Sequence, residues 1–331
     1  MTGTETVQSF NVPNYSGLLY NKAATDTPFL NMISGNVKYT NSVEFVCGQY
    51  YTSEEGEIPE VSETASLTAP AATFVTRNQM SNVTQIFHES VAISYAKQSN
   101  MATLSGINIA GQTANPQDEL DFQIANKMNK IKRSIEKAFI AGEYNKATSD
   151  SEVNKTRGIA NAITSNITAA AGKALDMWLV NDIVTKIANA GGNISELVIL
   201  MNSANLLQLH GNAIEMGMPI GESYTGAFGI QVRDLILPVG TTIRVGLGAF
   251  IPEGTALVIN PSVCAPVEQP VPGKGNFFLE ELAKTGAGTK YQIFGQIGLD
   301  HGPEWFHGKI TGLSTDFTAP VGQKVVSVTS A

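Results

Sequence analysis

Residues 115–142, NPQDELDFQIANKMNKIKRSIEKAFIAG, decide how this chain of 331 residues is read. Asn115 is a capping residue, and Pro116 suits the first helical position because its missing N–H would have had no partner there. Asp118, Glu119 and Asp121 put negative charge in the first turns, where the helix dipole favours it. Leu120, Ile124, Met128, Ile131, Ile135 and Phe139 recur by three and four, the spacing of one buried face. Gly142 stops the run. The pattern predicts one helix over 116–142, a rod of roughly 39 Å at about 1.5 Å per residue. Lys130, Arg133 and Lys137 fall together on the side opposite the apolar stripe. Phe122 and Ile140 point off the stripe, toward contacts outside the core.

Upstream, residues 1–35 read as an arm. Asn11-Val-Pro13 and Thr27-Pro28 break it, Tyr15–Ala23 suits one short helix, and Phe29, Leu30, Met32 and Ile33 form a small apolar patch that must dock elsewhere. Residues 36–92 read as extended. Val43, Phe45 and Cys47 alternate with polar neighbours, and Phe74, Val75, Val83, Ile86, Phe87, Val91 and Ile93 are strand-forming types. Between these runs lies Ser53–Glu63, which holds Glu54, Glu55, Glu57, Glu60 and Glu63 and no basic residue. The expected shape is a β-loop with an acidic tip, its two arms of about 16 residues reaching roughly 50 Å. Such a hairpin seldom stands alone in water. It needs a surface to lie on, that of another chain included.

Downstream, 145–173 is polar, with a turn at Thr156-Arg-Gly158. A compact α/β stretch follows: an amphipathic helix over Leu175–Ala190 ended by Gly191-Gly192, a buried strand over Leu197–Met201, and a short helix from Ser203 to His210. An exposed Gly- and Met-rich loop is expected at 211–228, then strands at Gly229–Leu237, Thr242–Val245 and Thr255–Ile259. Residues 265–275 read as a Pro/Gly linker. Lys290–Leu299 alternates cleanly, and Trp305–Leu313 is expected to pair with it across the turn Asp300–Glu304. The last dozen residues read as a tail. The fold class is α+β, without internal repeats.

Composition narrows the function. Hydrophobic residues make up 43% but charged residues only 15%, well under the ~25% usual in soluble proteins. Such a surface suits a protein covered by its neighbours. The net charge of −8 argues against a general nucleic-acid binder, which needs cations to neutralise phosphates. Two distant cysteines, Cys47 and Cys264, make neither a disulfide framework nor a paired metal motif, and small buried apolar roles are expected for both. No signal peptide is expected, since Met1–Gln8 is polar, and no run of ~18 apolar residues suggests a membrane span.

Possible chemistry is sparse. His301, Glu304 and His307 lie within seven residues and offer zinc-ligand types, which makes a metal-dependent hydrolase the competing reading. A metal pair of that kind needs His-Glu-x-x-His on a helix. Here Gly302-Pro303 makes a turn, so the favoured reading is turn and surface residues pointing in unrelated directions. His88-Glu89 in a strand puts its members on opposite faces, and His210 falls at a helix end. Glycine-rich phosphate loops and a Gly-x-Ser-x-Gly elbow are absent. The expectation is therefore no catalytic residue, no metal, no cofactor and no enzyme.

The order of parts carries a resemblance. Thr27-Pro-Phe-Leu30 in the arm, Asn78-Gln79 to Val91 at the loop base, Asp118–Gly142 as a spine, Leu197–Met201 followed by Ser203–Leu209, and His307-Gly-Lys-Ile-Thr-Gly-Leu313 together resemble the capsid fold of phage Hong Kong 97. That fold is shared by major capsid proteins of tailed double-stranded-DNA phages. The resemblance implies an N-terminal arm (1–35), an extended loop (36–92), a peripheral domain (93–175, spine 116–142), an axial domain (176–265) with the loop at 211–228 near the capsomer centre, and a return to the peripheral domain with a tail (266–331). It implies hexamers and pentamers in an icosahedral shell around phage DNA, a virion protein made in the host bacterial cytoplasm. The partners implied are further copies of the chain, DNA bound without sequence specificity, and scaffolding, portal and decoration proteins. No scaffold-like region precedes the arm, so a separate scaffold is expected. An encapsulin-type compartment is the alternative within the same fold. A solvated turn is the plain reading of the acidic tip; in the other, Glu54, Glu55, Glu57, Glu60 and Glu63 are the candidate contacts to a neighbour, with Lys130, Arg133 and Lys137, or Arg77, as their counterpart, and packaged DNA is the other reading of the basic stripe.

Overall fold

The computed structural model describes residues 26–53, 58, 60–69, 71–95, 119–215, 223–225, 231–238, 240–284 and 286–315. The expected arm over 1–25, the helix start at 115–118, most of the 211–228 loop and the tail after 315 lie outside these residues.

The spine helix runs Glu119–Ala141. Ile131, Ile135 and Phe139 are buried, as the three-four spacing requires. Ile140 is fully buried as well, against the expectation that it points outside the core. The helix end is enclosed on a second side, where Ile140 joins Ile159 and Ile163 of the segment containing the short helix Ile159–Ala162. Gly142 permits this approach: a Cβ there would lie 2.5 Å from the Thr156 carbonyl oxygen.

Burial of that second side also takes in Glu136, which the sequence reading missed. Its carboxylate is fully buried and caps the helix α1, Pro28–Ile33. Phe29 N donates to Oε1 at 3.0 Å and Leu30 N to Oε2 at 2.7 Å. These two amides have no partner inside their own helix. Phe29 and Ile33 then sink into the core beside Phe139 and Ile140, so the end of the arm is docked by one carboxylate and two apolar side chains.

A five-stranded sheet packs on the spine: β1 (Lys38–Tyr39), β4 (Gln85–Ser94), β11 (Ala265–Glu268), β12 (Phe278–Glu281) and β13 (Gly288–Asp300). β13 is its axis, pairing with β4 along one side and with β12 and β11 along the other. A separate hairpin pairs β2 (Glu44–Tyr51) with β3 (Arg77–Val83).

The second sheet has seven strands: β5 (Ile167–Ala169), β14 (Gly308–Thr311), β10 (Ala256–Ile259), β6 (Val198–Met201), β9 (Thr242–Leu247), β8 (Gln231–Ile236) and β7 (Ser223–Thr225), in that spatial order. The helix Met177–Asn189, capped by Asp176 Oδ1 accepting from Leu179 N at 2.7 Å, and the helix Ser203–Glu215 accompany it. β6 and β10 are buried on both faces. Val198, Leu200, Leu257 and Ile259 face the core of the spine helix, while Ile199, Met201, Ala256 and Val258 face Val180, Ile183, Val184 and Ile187.

The topology corrects several expectations. Trp305–Leu313 does not pair with Lys290–Leu299: β14 crosses to the other sheet and lies between β10 and β5. Strands from 167–169 and 308–311 thus join the sheet built by 198–259. The 265–275 segment is not a plain linker, because Ala265–Glu268 is a strand. Pro266 fits there since its partner Leu299 turns its main-chain groups the other way, so no ladder bond needs a proline N–H. The hairpin ladder is about half the expected length, ending at Tyr51 and Arg77, and Gln85–Ser94 belongs to the five-stranded sheet rather than the loop. The helix from Ser203 continues past His210 to Glu215, while Ser223–Thr225 of the expected loop is strand.

Replacing Glu136 by Ala would leave two amides without their acceptor, and a loss of about 3 kcal/mol is expected, read from urea midpoints. Burial pushes the Glu136 carboxyl up to about 7, against the two amide hydrogen bonds that lower it. A folded value above the ordinary 4.5 means that this group's contribution is full below pH 4.5 and is lost as pH rises through 7. In Glu136→Gln that part of the pH dependence is expected to vanish.

Candidate assembly surface

The root of the hairpin is fixed by polar bonds. Asn82 is fully buried. Its Nδ2 donates to the carbonyls of Leu299 (2.7 Å) and Arg157 (3.1 Å), and its Oδ1 accepts from Arg157 N (2.8 Å) and Val83 N (2.9 Å). Thr156 Oγ1 accepts from Leu299 N at 3.1 Å. Beside this knot the Phe45 ring sits on Gly298, where a Cβ would lie 2.7 Å away. Tyr50 meets Trp305 edge-on at 5.1 Å, and Lys146 pairs with Glu44 at 2.5 Å. Cys47 lies in the β2 bulge with its thiol on the Leu299 carbonyl, and burial pushes that thiol up to about 12. Cys264 is buried too, so both cysteines are the small apolar fillers expected.

Beyond Tyr51 and Arg77 the strand ladder stops. A turn at 62–68 is held by Ser62 Oγ accepting from Ala65 N and Ser66 Oγ donating to Glu63 O. The apolar side chains here have nothing to cover them: Ile58 is 90% exposed, Phe74 86%, Leu67 85% and Val61 64%. Glu60 and Glu63 are exposed among them, while Glu54, Glu55 and Glu57 lie outside the described residues.

The basic stripe is not a free row of cations. Lys130 and Lys127 both pair with Glu89 of β4. Burial raises that carboxyl, but hydrogen bonds from the two lysines more than offset this and hold it below its ordinary range. Arg133 is half-buried, and Lys137 is exposed, as is Arg77 at the end of β3. Across the ladder His88 lies on the opposite face, with Gln292 and Phe294.

His301 and His307 are fully buried, not surface residues as expected. Asn260 N donates to His307 Nδ1 at 3.1 Å, and His307 Nε2 donates to the His301 carbonyl at 2.7 Å, which uses both ring nitrogens. Glu304 accepts from Thr164 N and Ser165 N. The three residues tie the crossing into β14 to its surroundings. Among the described residues no three His, Cys, Asp or Glu side chains are grouped to hold a metal, and no helix is long and apolar enough to cross a membrane.

A docked arm, a protruding hairpin, a spine helix under a β13-centred sheet and a second α/β body define a shell protein of the Hong Kong 97 type. Solved structures with this fold include the capsid of cyanophage A-1(L), at TM-score 0.64 and 13% identity over 93% of this chain and 98% of that one. The SrpI encapsulin of Synechococcus elongatus PCC 7942 is similar at TM-score 0.64 and 10% identity, over 94% and 95%. A structure from Mycobacterium phage Che8 is similar at TM-score 0.54 and 11% identity, over 91% and 97%. At such identities these likenesses concern the fold. No curated protein sequence matches. The chain belongs to the SU10 major capsid protein family, whose model it matches over residues 2–314. It is a structural protein of a virion shell built from many copies.

Burial pulls the His307 imidazole down to about 4. A folded value below the ordinary 6.5 means its contribution is full above pH 6.5 and is lost as pH falls toward 4, up to about 3 kcal/mol. This opposes the Glu136 contribution over the same window. Urea midpoints of Glu136→Gln are therefore expected to fall between pH 7 and pH 4; a flat profile would contradict the assignment.

Proposed function

We propose that copies of this chain join head to tail into rings of six and five, which close into an icosahedral shell around phage double-stranded DNA. The observation that carries this is the hairpin end, where Ile58, Leu67 and Phe74 stand almost bare in water on a root held rigid by Asn82. Apolar groups kept out of their own core in this way belong to an interface. A surface on one copy that fits a different surface on the next closes a ring when repeated by rotation. Laid on a neighbour, the loop between Glu44 and Val83 would bury an area of the order of 1,000 Å².

In this arrangement the spine helix and the β13 sheet form the peripheral body. The seven-stranded sheet, built on 176–265 and completed by β5 and β14, forms the axial body near the ring centre. Glu60 and Glu63, with Glu54, Glu55 and Glu57, meet cations of the neighbouring spine helix. Lys137 is the open member of that stripe, since Glu89 already holds Lys130. The net charge of −8 suits a wall that encloses DNA without binding its sequence. Synthesis in the bacterial cytoplasm, a separate scaffold, a portal and decoration proteins complete the reading, and the role is structural rather than catalytic. The encapsulin likeness extends to the fold; packaged DNA rather than packaged enzyme distinguishes the two shells.

Deleting residues 50–66 is expected to leave a folded protein, with the circular dichroism of the parent, that forms no closed particles by electron microscopy. Normal shells from that deletion would overturn the role given to the hairpin.

A further inference from the structure

β4 is an edge strand of unusual length. It pairs with β13 from Gln85 to Ser94 and with no other strand among the described residues. Tyr95 N donates to Ala287 O, so the odd-numbered residues turn their main-chain groups toward β13. In an antiparallel ladder the alternate residues turn theirs outward. Ile86, His88, Ser90 and Ala92 therefore offer N–H and C=O groups to the open side, and all four are exposed. The spine helix does not block this edge. It covers the face of the odd side chains, where Glu89 meets Lys127 and Lys130. The strand carries neither Pro nor Lys, the usual devices that blunt an edge, and unpaired ladder groups are a template for another strand.

The matching piece lies in the hairpin. Ala71–Thr76, AATFVT, is exposed throughout and makes no hydrogen bond among the described residues. Thr, Phe and Val suit a pleated surface. Its own β4 is out of reach, because the seven residues of β3, about 23 Å of strand, and Thr84 separate it from Gln85, where β4 begins.

Resting on the shell reading above, we propose that Ala71–Thr76 of one copy adds as a further strand to the outer edge of β4 in the next copy. Six residues cover about 20 Å, the length of the edge over Ile86–Val91. Main-chain bonds supply the attachment. Run antiparallel with Phe74 opposite the exposed His88 and diagonal to Ile86, which is 56% exposed on the outward face, the segment lies against Ile86–Val91 in one register. Donor and acceptor are different surfaces, so the contact propagates around a ring.

Cys47 and Cys264 are buried, so introduced cysteines report alone. Copies carrying Phe74→Cys are mixed with copies carrying Ile86→Cys or His88→Cys, assembled and oxidised. A disulfide dimer is expected only from the mixtures. Ser90→Pro removes one outward N–H without touching the β13 ladder, and Ala72→Pro, opposite Ser90 in that register, does the same in the donor segment. Each is expected to cut particle yield at least tenfold with the parent's circular dichroism kept. If Ser90→Pro does not fold, Ala72→Pro, which lies in none of the strands of its own copy, decides. Wild-type particles together with full assembly of Ala72→Pro and no mixed disulfide would overturn the strand addition and leave the shell reading standing. No particles from the wild type under any assembly condition would remove both.

Discussion

A loop that holds apolar side chains in water must be fixed where it leaves the body, and here one amide does most of that. Asn82 uses its side-chain nitrogen and oxygen to bond Arg157, Leu299 and Val83 at once. The bonds matter because the Asn82 side chain is fully buried, so an unpaired atom of its amide would cost a full desolvation penalty. They also come from three parts of the chain: the hairpin, the segment after the spine helix, and β13. A change of hairpin angle would strain all three together. Phe45 on Gly298 and Tyr50 on Trp305 add packing to the same root.

β13 carries that root because the rest of the molecule already holds it. One side of the strand is paired with β4 for ten positions, and the other with β12 and β11. Below it, Ile293, Ile297 and Leu299 join the core of the spine helix, which also receives Val198, Leu200, Leu257 and Ile259 from the second sheet. Alternate residues of β6 and β10 look into the other core. A strand buried on both faces has no polar period, which is why these strands show as short continuous apolar runs. The two bodies are thus joined through a shared layer of side chains rather than by a linker.

Much of this was legible. The stripe from Leu120 to Phe139 gave the spine, and the alternation of Lys290–Leu299 gave β13, because each carries one buried face and hence a clean period. The misses have a common cause: pairing and satisfaction are set by distant residues. Pro266 reads as a breaker until its non-bonded position opposite Leu299 is seen. Trp305–Leu313 reads as a return hairpin because proximity in sequence favours it, yet β14 finds β10 and β5. Glu136 reads as one more solvated charge. A signal was available: Ile140 lies one turn further on the same side, and an apolar residue off the main stripe marks a second buried face. A carboxylate on that face needs donors, and the free amides of a helix start are the natural ones. At the assembly surface, the grouping of Lys130 with Arg133 and Lys137 was correct in periodicity, but Glu89, forty residues away, was invisible to it.

The two sheets differ in how their edges are managed. The seven-stranded sheet ends in β5 and β7, each only three residues long, too short to recruit a stranger. Among the described residues no third strand pairs with the hairpin, and β4 has one unpaired side from Ile86 to Ala92. Leaving long edges bare invites uncontrolled association, and the chain carries only 15% charged residues with which to resist it. A freely diffusing monomer gains nothing from that combination. In a shell many copies meet their neighbours, and under the strand addition proposed above an open edge is closed by the next copy. The exposure that would be a hazard for a monomer then becomes the source of order, since each added contact is weak alone and collectively strong once the ring and the shell close.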